Sequence, residues 1–228
     1  MFKLEKRPQQ SQRWIYLSPF LAVVITMISG GILFAILGEN PFEAIRIIFW
    51  DPLFDPNFAS YSRPQLLVKA GPLILIAIGL SFGFKAGVWN IGAEGQYIMG
   101  AIFGAGLALA FYPMESKLIF PLMIIAGALG GFLWGMIPAF LKAKLNTNEI
   151  LVSLMLVYVA ESILASVSQG LLKNPDGYGF PGSRNLQKYE SAANVEIISN
   201  SGMHWGVLFA FITVIFSYIV LTRHIQGF

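Results

Sequence analysis

Six stretches of this chain are apolar over about the 20 residues needed to cross a bilayer, and that length restricts the folds open to it. They are 15–37, 66–84, 90–112, 118–141, 150–172 and 205–221. In hydrocarbon every backbone N–H and C=O must be satisfied within the protein, which leaves helices or a closed barrel. None of the six alternates with period two, so a barrel is excluded. The pattern predicts an all-α membrane protein with about six transmembrane helices. Charge agrees: 12% of the residues are Asp, Glu, Lys or Arg, about half the 25% typical of soluble domains. The first run, 23 residues long, exceeds the roughly 7–15 of a secretory h-region and has no small-residue cleavage site after it. It reads as a retained span, with 1–14 as an N-terminal segment and 15–228 as the transmembrane domain.

The net charge of +3 does not point to nucleic acid, because the basic residues are scattered through the connections. There they set orientation. With the N-terminus inside, the inner segments hold Lys3, Lys6, Arg7, Arg13, Lys85, Lys142, Lys144 and Arg223, eight against seven outside. The totals are close, but the outer connections 38–65 and 173–204 are long, and the short-loop form of the rule therefore predicts a cytoplasmic N-terminus. The first of these outer segments, with four prolines among aromatic residues, reads as irregular interfacial chain, with a short interfacial helix over 42–50. The second reads as a folded external loop.

Catalytic chemistry has no foothold. Cysteine is absent and the two histidines are far apart, which argues against disulfides and against a metal site. Gly177-Tyr-Gly-Phe-Pro-Gly182 matches G-x-G-x-x-G, but no strand precedes it and a proline lies inside it, so a dinucleotide fingerprint is rejected. No phosphate-binding loop of the G-x-x-x-x-G-K-[ST] type occurs. No cofactor is expected.

The informative stretch is 87–96, Gly-Val-Trp-Asn-Ile-Gly-Ala-Glu-Gly-Gln. It sets Asn90, Glu94 and Gln96 beside apolar runs and surrounds them with glycines. A carboxylate at mid-bilayer costs about 2.5–3.5 kcal/mol on the insertion scale, and glycines permit a broken helix. Two readings follow: a discontinuous helix between Gly83 and Gln96 lining a polar path, or a turn at the membrane surface with Glu94 solvated. On a continuous helix Asn90 and Glu94 share a face. Glu161 lies in the middle of the fifth run, and intramembrane acids are functional candidates by default; its plain alternative is an interhelical hydrogen bond. In 142–150, Thr147 is placed to cap the following helix, with Asn148 and Glu149 in its first turn. Glycines four apart, at 83/87, 100/104 and 127/131/135, suit close helix packing.

Asn90-Ile-Gly-Ala-Glu-Gly-Gln96 resembles the signature of ABC transporter permeases of the nucleoside and simple-sugar uptake group, relatives of the ribose and branched-chain amino-acid permeases. Three later stretches are similar to that family in the same order: Gly135-Met-Ile-Pro-Ala-Phe-Leu-Lys-Ala-Lys144, Asn148-Glu-Ile-Leu-Val-Ser-Leu-Met-Leu156 and Asp176-Gly-Tyr-Gly-Phe-Pro181. The resemblance implies the permease subunit of an ATP-driven importer in a bacterial inner membrane. Its implied partners are separate ATP-binding subunits, a second permease chain and an external substrate-binding lipoprotein, and its implied cargo is a nucleoside or sugar. Asn90, Glu94, Gln96 and Glu161 are then candidates for the substrate path, with Asn148 and Glu149 at its inner mouth, while 173–188 faces the binding protein. ATP hydrolysis would belong to another subunit. Val157 departs from the family, which often has Asn there. The resemblance also implies that the long cytoplasmic loop beginning near Thr222, and the spans after it, are missing from this chain. An ion-coupled carrier and a structural membrane subunit are the alternative classes.

Overall fold

The computed structural model describes residues 12–199 and 201–223. Most of the expected N-terminal segment, and the chain from His224 onward, lie outside them. Eight α-helices follow in order: α1 Gln12–Ile36, α2 Pro41–Ile45, α3 Asp51–Phe54, α4 Ala59–Lys85, α5 Ala93–Ala110, α6 Ile119–Leu145, α7 Glu149–Gln169 and α8 Trp205–Arg223. Helical chain with no strand among the described residues is what an apolar solvent dictates. Five helices, α1, α4, α6, α7 and α8, are long and apolar enough to cross a membrane. Against the expected count of about six, five such helices occur among the described residues. α5 is helical, but its turn-forming prelude delays its start to Ala93, and Glu94 and Gln96 then sit in its first turns.

The chain divides into two compact units at Leu66. In the first, the short helix expected over 42–50 is present, and helix also continues through α3 where irregular chain was expected. Asn40 caps α2 by accepting the Phe42 N–H at 3.0 Å, a π-helical turn over Arg46–Trp50 leads into α3, and Arg46 pairs with Asp51 at 3.1 Å. A Cβ added at Gly31 would lie 3.5 Å from Ile45 and 3.6 Å from Pro41, so α1 and α2 touch.

In the second unit α5 is the centre of packing, lying chiefly on α6 and also on α7. The small residues explain the closeness. A Cβ at Gly100 would stand 3.0 Å from the Gly127 carbonyl oxygen, and one at Gly127 would stand 3.2 Å from that of Gly100. Gly104 meets Met123 at 3.2 Å and Gly131 meets Gln96 at 3.1 Å in the same way. Lipid supplies no hydrophobic drive between helices, so backbone contact of this kind holds them together. Gly83 and Gly87 take no part in it. At the far end of α5 the connection 170–204 folds over the α5–α6 turn. Tyr189 is buried with Ala108, Ile119 and Ala192, and its hydroxyl donates to the carbonyls of Met114 at 2.5 Å and Phe111 at 3.3 Å.

Candidate functional site

The stretch 86–92 is a seven-residue non-helical connection between α4 and α5. α4 stops because Gly87 adopts φ +76°, a conformation cheap only for glycine. The Val88 N–H then reaches the Gly83 carbonyl at 2.9 Å and the Gly87 N–H that of Phe84 at 3.1 Å. This is the paired closure of a Schellman motif, which satisfies the last carbonyls of a helix. Asn90 turns the chain again: its Oδ1 accepts the Gly92 N–H at 2.9 Å. Asn90 and Glu94 therefore do not share a helical face.

The connection is sewn to the start of α7. Ser153 is buried, accepts the Ile91 N–H at 3.2 Å through its hydroxyl oxygen, and donates to the Ile150 carbonyl at 3.2 Å. Gly92 lies so close that a Cβ there would be 2.6 Å from the Ser153 carbonyl oxygen. α7 itself is capped by Asn148, not by Thr147. Asn148 Oδ1 accepts from Ile150 at 3.0 Å and Leu151 at 3.4 Å, whereas the Thr147 hydroxyl is buried without a partner. The α6–α7 turn is reversed by Asn146 at φ +50°. Across it Lys142 Nζ meets Glu149 Oε2 at 3.0 Å.

These features line an open-sided cavity of about 290 Å³ whose lining includes Trp89, Asn90, Gln96, Pro138, Lys142, Glu149 and Ser153. It sits at the end of the unit where α4 and α6 finish and α5 and α7 begin. A larger cleft of about 580 Å³ between α4, α5 and α6 is also lined by Asn90 and Gln96, among mainly small and aliphatic residues. The Gln96 side chain lies against Gly135, where a Cβ would be 2.7 Å from its Nε2. Mostly apolar walls with a few converging polar groups are the usual make-up of a small-molecule site.

Of the six residues singled out from the sequence, Asn90, Gln96 and Glu149 come together here. Glu94 is exposed in the first turn of α5, where an acid suits the helix dipole. Asn148 spends its side-chain oxygen on the cap. Glu161 is exposed on α7, twelve residues beyond Glu149 and so about 18 Å along the helix. Reading the sequence misses Lys142, which looks only like an orienting charge, and Ser153, one of several serines in an apolar run. The seven-residue spacing of Lys142 and Glu149 across a turn was the available signal for the pair. Among the described residues no cluster of three or more His, Asp or Glu is placed to hold a metal ion.

Comparison with known proteins gives this geometry a context. The family described as branched-chain amino acid transport system permease component matches residues 63–227. The chain is 31% identical to a glucose ABC transporter permease of Haloferax volcanii, over 94% of this chain and 57% of that one. It is 29% identical to a nucleoside ABC transporter permease of Lactococcus lactis subsp. cremoris, over 93% of this chain and 58% of the relative. A guanosine ABC transporter permease of Bacillus subtilis is 24% identical over 93% of this chain and 59% of its own length. The chain thus spans less than two thirds of each of these relatives. No solved structure matches it significantly.

Proposed function

This chain belongs to the family of branched-chain amino acid transport system permease components, and we propose that it serves as the membrane subunit of an ATP-driven importer carrying a nucleoside or simple sugar. The family match over 63–227 carries the reading, and the relatives named for glucose, nucleosides and guanosine supply the solute class. In this proposal a second permease chain completes the path, separate ATP-binding subunits drive it, and an external substrate-binding lipoprotein delivers the solute. The protein resides in a bacterial cytoplasmic membrane with residues 1–14 inside and 15–228 forming the permease domain. The end bearing Lys85, Lys142, Lys144 and Arg223 then faces the cytoplasm, and the cavity of about 290 Å³ is the inner mouth.

The side chains assigned to the path are Asn90, Gln96 and Glu161, with Glu94 beside them and Asn148 and Glu149 at the mouth. Amide groups both donate and accept hydrogen bonds, which suits hydroxylated, uncharged solutes. Lys142 neutralises Glu149, so the mouth carries no net charge from this pair. Glu161 supports the assignment on physical grounds. An acid in the middle of an apolar span is costly against lipid, and its exposure on α7 calls for a polar path or a protein neighbour. ATP binding and hydrolysis would switch the path between outward-open and inward-open states. The test is uptake of labelled guanosine and glucose in cells carrying the full transporter, with Asn90→Ala, Gln96→Ala and Glu161→Ala compared with wild type. Uptake that survives ATP depletion would move the protein to the ion-coupled class. Wild-type uptake by all three variants would remove the assigned path.

A further inference from the structure

We propose that the turn 174–182, which follows α7, is a bilayer anchor that seats Tyr178, Phe180 and the neighbouring Leu171 among the lipid headgroups. Tyr178 has φ +48°, in the left-handed region that disfavours a bulky side chain. The residue is 99% exposed, so no packing within the chain offsets that strain. A glycine or asparagine would suit the backbone better. A strained residue persists where its side chain has a use, and here the use lies outside the molecule. Phe180 and Leu171 are 76% and 91% exposed beside it.

Placement identifies the partner as lipid. α7 has 21 residues, about 31 Å of helix against roughly 30 Å of hydrocarbon, so its last turn lies at the hydrocarbon boundary. The turn is tied to that last turn, with the Gly182 N–H donating to the Ser168 carbonyl at 3.2 Å and the Asn174 N–H donating to the Gly182 carbonyl at 2.8 Å. Two internal bonds, Gly177 to Asn174 at 3.2 Å and Phe180 to Gly177 at 2.9 Å, keep it compact. Tyr178 is four residues from either neck residue, which limits its reach to about 14 Å even if extended. The aromatic rings are thereby held close to the layer where Tyr is favoured, with ring in acyl chain and hydroxyl in water. The acid of the turn has a cationic neighbour. Asp176 pairs with Arg184 at 2.9 Å, and Arg184 also lies 4.6 Å over the Tyr112 ring. Lys173, at the neck, is long enough to reach a lipid phosphate.

The chain has no cysteine, so a single Phe180→Cys variant carries one nitroxide label. The full chain is reconstituted in phosphatidylcholine–phosphatidylglycerol vesicles, and collision of the label with oxygen is compared with collision with a water-soluble nickel chelate. The expected result is that oxygen dominates. Adding Tyr178→Gly, which keeps and relaxes the backbone while removing the ring, should invert the ratio towards nickel without lowering thermal stability in detergent. Adding Tyr178→Trp instead should preserve the original ratio. Dominant nickel collisions in the Tyr178 background, or an unchanged ratio in Tyr178→Gly, would overturn the proposal. So would a label shielded only when a purified external binding protein is added, since the turn would then be a protein-docking element.

Discussion

Gly92→Ala isolates the contact on which the site geometry rests. The added Cβ would stand 2.6 Å from the Ser153 carbonyl oxygen, 2.9 Å from its Cβ and 3.0 Å from its carbonyl carbon. Ordinary contact begins at 3.4 Å, so α5 and the start of α7 must part by about 0.8 Å, an overpacking strain of roughly 1–3 kcal/mol. Gly92 has φ −90° and ψ 18°, a bridge conformation open to alanine, so the cost is chiefly steric. Parting the helices also stretches the 3.2 Å bond from the Ile91 N–H to Ser153. For a chain of this size about 1 kcal/mol corresponds to roughly 2–4 °C, which gives an expected loss of about 2–12 °C in thermal unfolding in detergent micelles. Two companions sharpen the test. Gly79→Ala, whose Cβ would meet nothing within 4 Å, should be neutral or stabilising by up to about 1 kcal/mol. Ser153→Gly in the Gly92→Ala background should fail to rescue, because the nearest obstacle is a backbone oxygen that the substitution leaves in place. A Gly92→Ala protein that melts with wild type, or one rescued by Ser153→Gly, would refute the close approach of these two backbones.

Ser153→Ala should cost about 0.5–1.5 kcal/mol, since the Ile91 N–H loses its partner in a partly buried setting; hydrogen exchange at Ile91 should rise with it. Asn148→Ala should cost about 1 kcal/mol of α7 stability, whereas Thr147→Val should be neutral or stabilising, because the Thr147 hydroxyl is buried without a partner. Thermal unfolding of the two variants side by side decides which residue caps the helix. Tyr189→Phe removes the donor to the Met114 and Phe111 carbonyls and should loosen the 111–118 turn by about 1–3 kcal/mol, seen as faster proteolysis there. Glu149→Gln should leave thermal unfolding close to wild type, because Lys142 is 46% exposed and partly solvated pairs contribute little; a clear loss in unfolding temperature would show the pair to be structural.

Much of the architecture was legible as chain chemistry. Length and apolarity determined that these segments are helices, since a bilayer leaves the backbone few alternatives, and five of the six runs became helices able to span. The third run, 90–112, is the exception because hydropathy counts residues without knowing where a helix starts: the Gly87 closure lies just before it and the Asn90 turn consumes its first residues. Capping shows the same limit. Thr147, Asn148 and Glu149 are all acceptable near a helix N-terminus, and only the Asn146 reversal at φ +50° decides that Asn148 is the one whose oxygen reaches the free N–H groups.

By itself the sequence determined the solvent, the helical class and the family motif, because each is carried by residue type and spacing along one strand of chain. The tertiary structure decided which polar groups meet. Asn90, Gln96, Lys142, Glu149 and Ser153 come from three segments with no common periodicity. They converge because glycines let α5 lie backbone to backbone on α6 and α7. Spacing along the chain records that a glycine is present, but not which carbonyl a Cβ at that position would strike.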